Sequence, residues 1–235
     1  MRWVIFIHLL LILNLCQAQS NIATINLQLS FPQGAYKKTY PLTASGLILG
    51  IMHATENQPG FYFGGEFGIL QVSGNNQYYT GNYNNEYNTF LVASWNHVIT
   101  FSGMMKINLI PDGEFFQPFI DIRLGTNLFW TKTSISRDLP RDPITNVSEV
   151  KYYYSNSNTS WTLRIGSGVG VDFPFGHKKK FAAILKASYL FGSQATYYTH
   201  PLIKNFQITT FPRFSNTSMI LLETGIRFNI FNSGN

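Results

Sequence analysis

Cysteine is almost missing from this chain: Cys16 is the only one, and it sits behind an apolar run near the start. Downstream of it no disulfide framework, thiolate metal site or cysteine nucleophile can be built. Charge is also scarce. Asp, Glu, Lys and Arg make up 12% of the residues, about half the ~25% usual in a soluble domain, which is too little to cover a water-facing surface. Long apolar runs are absent too. After Leu15 no stretch offers 18 consecutive apolar residues, so a membrane-spanning helix of about 20 residues is excluded. A chain poor in charge and without spanning helices is left with the closed barrel, the other architecture that satisfies its whole backbone within lipid.

What is abundant fits that reading. Aromatic residues are 16%, with 20 Phe, 13 Tyr and 19 Gly. Met1 and Arg2, the apolar run from Trp3 to Leu15 and the small Ala18 have the layout of a secretory signal peptide. Residues 1–18 are therefore expected to be removed, leaving 19–235 as a single barrel domain. Cys16 is not expected to be lipidated, because Leu15 stands where a small residue is needed.

A membrane strand alternates apolar with polar or small residues for about ten positions, and eight segments do so: 24–31, 45–53, 61–72, 95–110, 115–130, 161–173, 181–197 and 218–231. In the last, Ile220, Leu222, Ile226, Phe228 and Ile230 share one face while Glu223, Gly225, Arg227 and Asn229 share the other. Short connections at Pro59-Gly60, Pro111-Asp112-Gly113 and Phe175-Gly176-His177 alternate with long polar ones at 32–43, 73–94, 136–160 and 199–217. Short periplasmic turns, long outer loops and both ends on the periplasmic side belong to an up-and-down barrel with an even strand number. The predicted fold class is all-β: a closed, antiparallel, up-and-down transmembrane β-barrel of about eight strands.

A soluble barrel shows the same alternation with its apolar face inward, so two further features decide between them. Trp95, Trp130 and Trp161 fall on the apolar face at strand ends next to long connections, where an outer aromatic girdle belongs. Phe61, Phe116, Phe173, Phe181 and Phe228 take the opposite ends. The polar face carries small residues, such as Gly166, Gly168, Gly170 and Gly192, beside Glu66, Lys106, Asp121, Arg123, Arg164, Asp172, Lys186, Glu223 and Arg227. An interior of about eight strands has room only for its own side chains. Near-balanced charge there predicts a network of mutual ion pairs that plugs the barrel.

Catalytic signatures are not found. His53 and His177 fall at the periplasmic side, His97 near the outer rim and His200 in the last long connection. The latter two could approach Ser94, Ser193 or an acidic residue of the long connections, but rim histidines satisfied by water or head groups are the plainer reading, and no enzyme is expected. Neither a metal cluster nor a cofactor is indicated. The formal charge of +6 and pI of about 9.4 do not point to nucleic acid, because the cations scatter through the connections, as at Lys37, Lys38, Arg137, Lys204 and Arg213. Outer-membrane lipid and lipopolysaccharide are their nearer partners. Tyr78-Tyr79 and the run Tyr152 to Tyr154 offer amphipathic contact area for an unknown surface ligand.

The segments Phe61-Tyr62-Phe63-Gly64-Gly65-Glu66, Gln117-Pro118-Phe119-Ile120-Asp121, Tyr189-Leu190-Phe191-Gly192 and Gly225-Ile226-Arg227-Phe228 together resemble the small outer-membrane β-barrel proteins of the Bacteroidota. A more distant likeness is to OmpA-like and OmpW-like eight-stranded barrels. The resemblance implies an outer-membrane location. It also implies that Glu223, Gly225, Phe228 and Ile230 form the signal read by the outer-membrane assembly machinery, with residues 232–235 trailing beyond the usual terminal aromatic. The leading expectation is a structural or loop-binding envelope protein with a plugged lumen. A narrow channel or lateral transporter of small apolar compounds stands behind it, and a secretion-apparatus component or an outer-rim enzyme behind that.

Overall fold

The computed structural model describes residues 20–39, 43–55, 60–83, 86–110, 114–138, 150–198, 202–204, 207–209 and 212–232. The expected signal peptide lies outside them, as do His200 and the turn at 111–113.

Eight long strands form the wall: β1 (Ser20–Pro32), β2 (Ala44–Ala54), β3 (Phe61–Tyr83), β4 (Glu86–Asn108), β5 (Gln117–Asp138), β6 (Val150–Phe175), β7 (Phe181–Gly192) and, after four short strands, β12 (Met219–Asn232). All neighbours are antiparallel, and the sheet closes where β1 pairs with β12 from Ser20↔Asn232 to Pro32↔Met219. Closure satisfies the backbone without leaving an edge along the wall. The alternation read in the sequence is the inside–outside alternation of this wall, and β7 switches between exposed and buried at every residue. Leu27, Leu49, Phe67, Leu163, Leu185 and Leu222 point outward and are exposed.

The tight β6–β7 connection is a 3-10 turn at His177–Lys179. It is entered through Gly176 at φ +80, a backbone state in which glycine has no steric penalty.

The other end departs from the expectation of long loops. Residues 73–83 and 86–94 are strand, and so are 131–138 and 150–160. Strands β3 to β6 run for 22 to 26 residues, about twice what a bilayer needs, and project beyond β1, β2, β7 and β12. Alternation fails to reveal them because Asn, Ser, Thr and Tyr recur through most of these segments without a period of two. A bulge between Gln71 and Ser73 also shifts the phase where β3 leaves the barrel.

The seventh strand is shorter than expected, ending at Gly192 rather than Tyr197. The chain then forms a hairpin of β8 (Gln194–Tyr198) with β11 (Pro212–Asn216), with a smaller hairpin of β9 (Leu202–Lys204) and β10 (Gln207–Thr209) between them. This ribbon leans on the projecting wall, where the Thr196 amide donates to Ser160 Oγ at 3.0 Å. The connection after β1 is also not plain loop: a one-and-a-half-turn helix, α1 (Gly34–Thr39), lies there and buries Tyr36.

Candidate functional site: the barrel interior and the outer wall

All nine charged residues assigned to the inner face are buried there. They form two groups. In the first, Asp172 accepts from Lys106 Nζ at 2.5 Å and from Arg227 Nη1 at 2.6 Å, and Gln117 Oε1 accepts a longer bond from Arg227. The Lys106 ammonium also stands 4.1 Å from the centroid of the Phe119 ring, and the ring's negative face favours that cation. In the second group, Arg123 lies at the centre, 2.7 Å from Glu223, 3.4 Å from Glu66 and 3.5 Å from Asp121. Arg164 reaches Glu66 at 2.8 Å, with Ser102 Oγ accepting from its Nε, and Lys186 bridges Glu223 and Asp121 at 2.8 and 3.2 Å. Each charge therefore has an opposite charge within reach, which is what a low-dielectric interior demands.

Small residues on the next strand make this crowding feasible. Gly168 faces Asp121 across the β5–β6 pair, and Gly170 faces Lys186 across β6–β7. A Cβ at Gly168 would fall inside van der Waals contact of both Ser188 Oγ and Asp121 Oδ1, so a larger residue would displace the network.

Toward the projecting end an apolar cluster joins buried polar residues such as Asn96 and Thr131. Leu70, Val72, Val98, Phe129, Leu190, Met219 and Leu221 point inward and gather around Tyr36 of α1 and Ala195 of β8. The Tyr36 and Phe129 rings meet edge to face at 5.9 Å. A smaller cluster of Ile22, Met52, Tyr62 and Met104 lies near the short turns. This cap is absent from the sequence reading, which predicted a polar inner face throughout. The signal was present as a lapse of alternation: Ile69-Leu70, Val98-Ile99, Tyr189-Leu190-Phe191 and Met219 to Leu222 are apolar on both faces, the pattern of a strand buried on two sides.

The candidate outer girdle differs from expectation. Trp95, Trp130 and Trp161 do not lie at strand ends; β4, β5 and β6 continue well past them. All three stand on the outward face of these adjoining strands, in one sector of the wall. Register places Trp95 opposite Lys132, His97 opposite Trp130, and Trp161 opposite Leu128. Trp161 is 62% exposed and Trp130 37%, and Trp130 Nε1 donates to Ser157 Oγ at 2.5 Å. At the short-turn end Phe116 packs on Phe173, Phe175 on Phe181 and Phe181 on Phe228.

The proposed assembly residues divide between faces. Glu223 and Gly225 point inward, Glu223 into the ion network, while Phe228 and Ile230 point outward. Among the described residues the histidines do not assemble a catalytic pair. Ser94 and His97 are three residues apart on one strand and so face opposite sides, with Ser94 Oγ near Thr133 and the His97 ring against Trp130. Ser193 Oγ accepts from the Leu163 amide, and His53 is hydrogen-bonded to Asn21. Among the described residues no group of three or more His, Cys, Asp or Glu converges in a way that could hold a metal.

Comparison with protein-family models and with curated proteins returns no match. Solved structures do match. A major outer membrane protein from Thermus thermophilus superposes with a TM-score of 0.47 at 11% identity, covering 89% of this chain and 99% of that one. Neisserial surface protein A gives 0.41 at 11%, over 89% and 97%. Ail, the attachment invasion locus protein of Yersinia pestis, gives 0.37 at 12%, over 90% and 97%. The fold resembles that of outer-membrane β-barrel proteins. At these identities the likeness concerns the fold alone.

Proposed function

We propose that this chain is an integral outer-membrane β-barrel, closed inside by its own side chains, that serves as a structural element of the envelope and presents its long-strand end outward for binding. One observation carries the reading: the outward face is apolar while the inward face holds every buried charge in an ion pair. In water that arrangement would expose the apolar side and bury the charged one. In a bilayer both faces are where they belong. On β7 the apolar outward residues run from Phe181 to Phe191, about 33 Å along the strand, which at the usual barrel tilt spans an apolar band about 25 Å tall.

The ion network and the Tyr36 cap together support a plugged lumen rather than a conducting one. The side-chain roles found for Ser94, His97 and Ser193 support a non-enzymatic protein. Glu223, Gly225, Phe228 and Ile230 are read as the assembly signal, and the sequence segments quoted above favour the small barrels of the Bacteroidota as its lineage.

The test is refolding into lipid vesicles followed by heat-modifiable electrophoresis and single-channel recording. A barrel that shifts on heating and passes no steady current is the expected result. Steady current would replace the plug with a transport reading, and failure to insert would overturn the membrane assignment.

A further inference from the structure

The three tryptophans of the described chain cluster on one side of the wall, and that asymmetry has a chemical reading. Around them on the outward face of β4–β6 stand His97, Lys132 and Ser157. The segments 95–99, 128–132 and 157–163 that build this surface contain no carboxylate, so nothing within them neutralises Lys132, which is exposed. Below the tryptophans the wall is apolar, with Leu163 exposed. Above them β6 carries a ladder of exposed hydroxyls on the same face, Thr159, Ser157 and Ser155, which extends about 20 Å along the strand from Trp161.

Apart from β3, the rest of the barrel wall lacks this upward extension: β1, β2, β7 and β12 end at the level where β3 to β6 continue. Only a sector with a projecting wall can offer a vertical polar surface to a large head group lying beside it.

We propose that this face is a binding site for a phosphorylated saccharolipid of the outer leaflet. The proposal rests on the membrane reading above. Lys132 would take a phosphate as a point charge, and the indoles would sit at head-group depth with their apolar bodies against the lipid and their N–H groups toward polar atoms. The Ser155–Ser157–Thr159 ladder would meet sugar hydroxyls. The length of that ladder favours a multi-sugar head group over a compact phosphodiester, which would reach only its lowest rung.

Tryptophan emission reports directly on the patch, because Trp95, Trp130 and Trp161 are the only tryptophans after Trp3. The protein is folded in phosphatidylcholine nanodiscs, with heat-modifiable migration confirming insertion, and titrated with diphosphorylated rough lipopolysaccharide. A saturable blue shift is expected. Lys132→Glu should weaken the apparent affinity by at least about fivefold, the effect of one cation at an anionic surface, whereas Lys180→Ala, exposed in the β6–β7 connection at the opposite end of the barrel, should leave it unchanged. An equal response to phosphatidylglycerol would overturn the saccharolipid assignment, as would an undiminished response in Lys132→Glu or the absence of saturation. Failure to insert would instead sink the membrane reading itself.

Discussion

Replacing Asp172 with Asn keeps the volume of the side chain and removes its charge, so it isolates the electrostatics of the interior from packing. Asp172 is fully buried and lies 2.5 Å from Lys106 and 2.6 Å from Arg227. At an effective dielectric of about 20, each contact has a gross Coulomb energy of about 6 kcal/mol. Most of that is offset by the desolvation the ions have already undergone. What remains after removal of one partner is a pair of buried cations facing a neutral amide, and breaking buried pairs in this way costs about 3–5 kcal/mol. Urea unfolding in lipid vesicles, followed by loss of the heat-modifiable band, measures the change. Adding Lys106→Met should recover part of the loss, since an apolar residue in place of the surplus cation relieves the repulsion. A loss below about 1 kcal/mol, with no recovery in the double variant, would mean that water reaches Asp172 and that the interior is not dry enough to act as a plug.

Three other parts of the structure are open to separate tests. Leu222→Arg places a cation on the outward face at mid-wall and should destabilise the vesicle-inserted barrel by about 2–4 kcal/mol; a neutral result would favour a water-facing outside. In the closing strand, a Cβ at Gly225 would overlap Asn26 Oδ1 and the Ile25 carbonyl oxygen, so Gly225→Val should block refolding in vitro. Phe228→Ala should refold in vitro yet accumulate poorly in cell outer membranes, and normal accumulation would refute its role as an assembly signal. Tyr36→Ala should lower stability by about 3 kcal/mol and raise the frequency of brief conductance events in a planar bilayer. If α1 merely rests on the rim, neither quantity will change.

Strand existence, closure parity and the inner and outer faces were legible from the sequence wherever one face is apolar and exposed and the other lines a crowded interior, because that contrast is what alternation records. Ile220, Leu222 and Ile226 against Glu223 and Arg227 are read without ambiguity for this reason. Legibility ended where the contrast ended. From Ser73 to Thr89 the sequence is almost wholly Asn, Gly, Gln, Ser, Thr and Tyr, and the apolar run Phe90 to Ala93 does not alternate, so the β3–β4 extension reads as loop. At Leu190 and Leu221 both faces are apolar, so the cap was overlooked. The identity of the ions was legible, but their partition was not. That Asp172 serves Lys106 and Arg227 while Arg123 gathers three carboxylates depends on register between strands distant in sequence, and on inward aromatics such as Phe119 that periodicity alone does not rank.

The seam between β1 and β12 joins residues roughly 190 to 210 positions apart, whereas every other pair in the wall joins strands that adjoin in the chain or, for β7 and β12, are separated by one inserted ribbon. Closing a loop of about 200 residues costs about 2 kcal/mol more than closing one of about 20, and contacts of such separation form slowly. The order of events follows from this difference. Hairpins accrete first, and the two ends of the chain meet last. Until they do, β1 and β12 are bare edges able to pair with any other strand. Aggregation of this chain would therefore start from the unzipped seam rather than from the closed wall, which has no free edge among its eight strands.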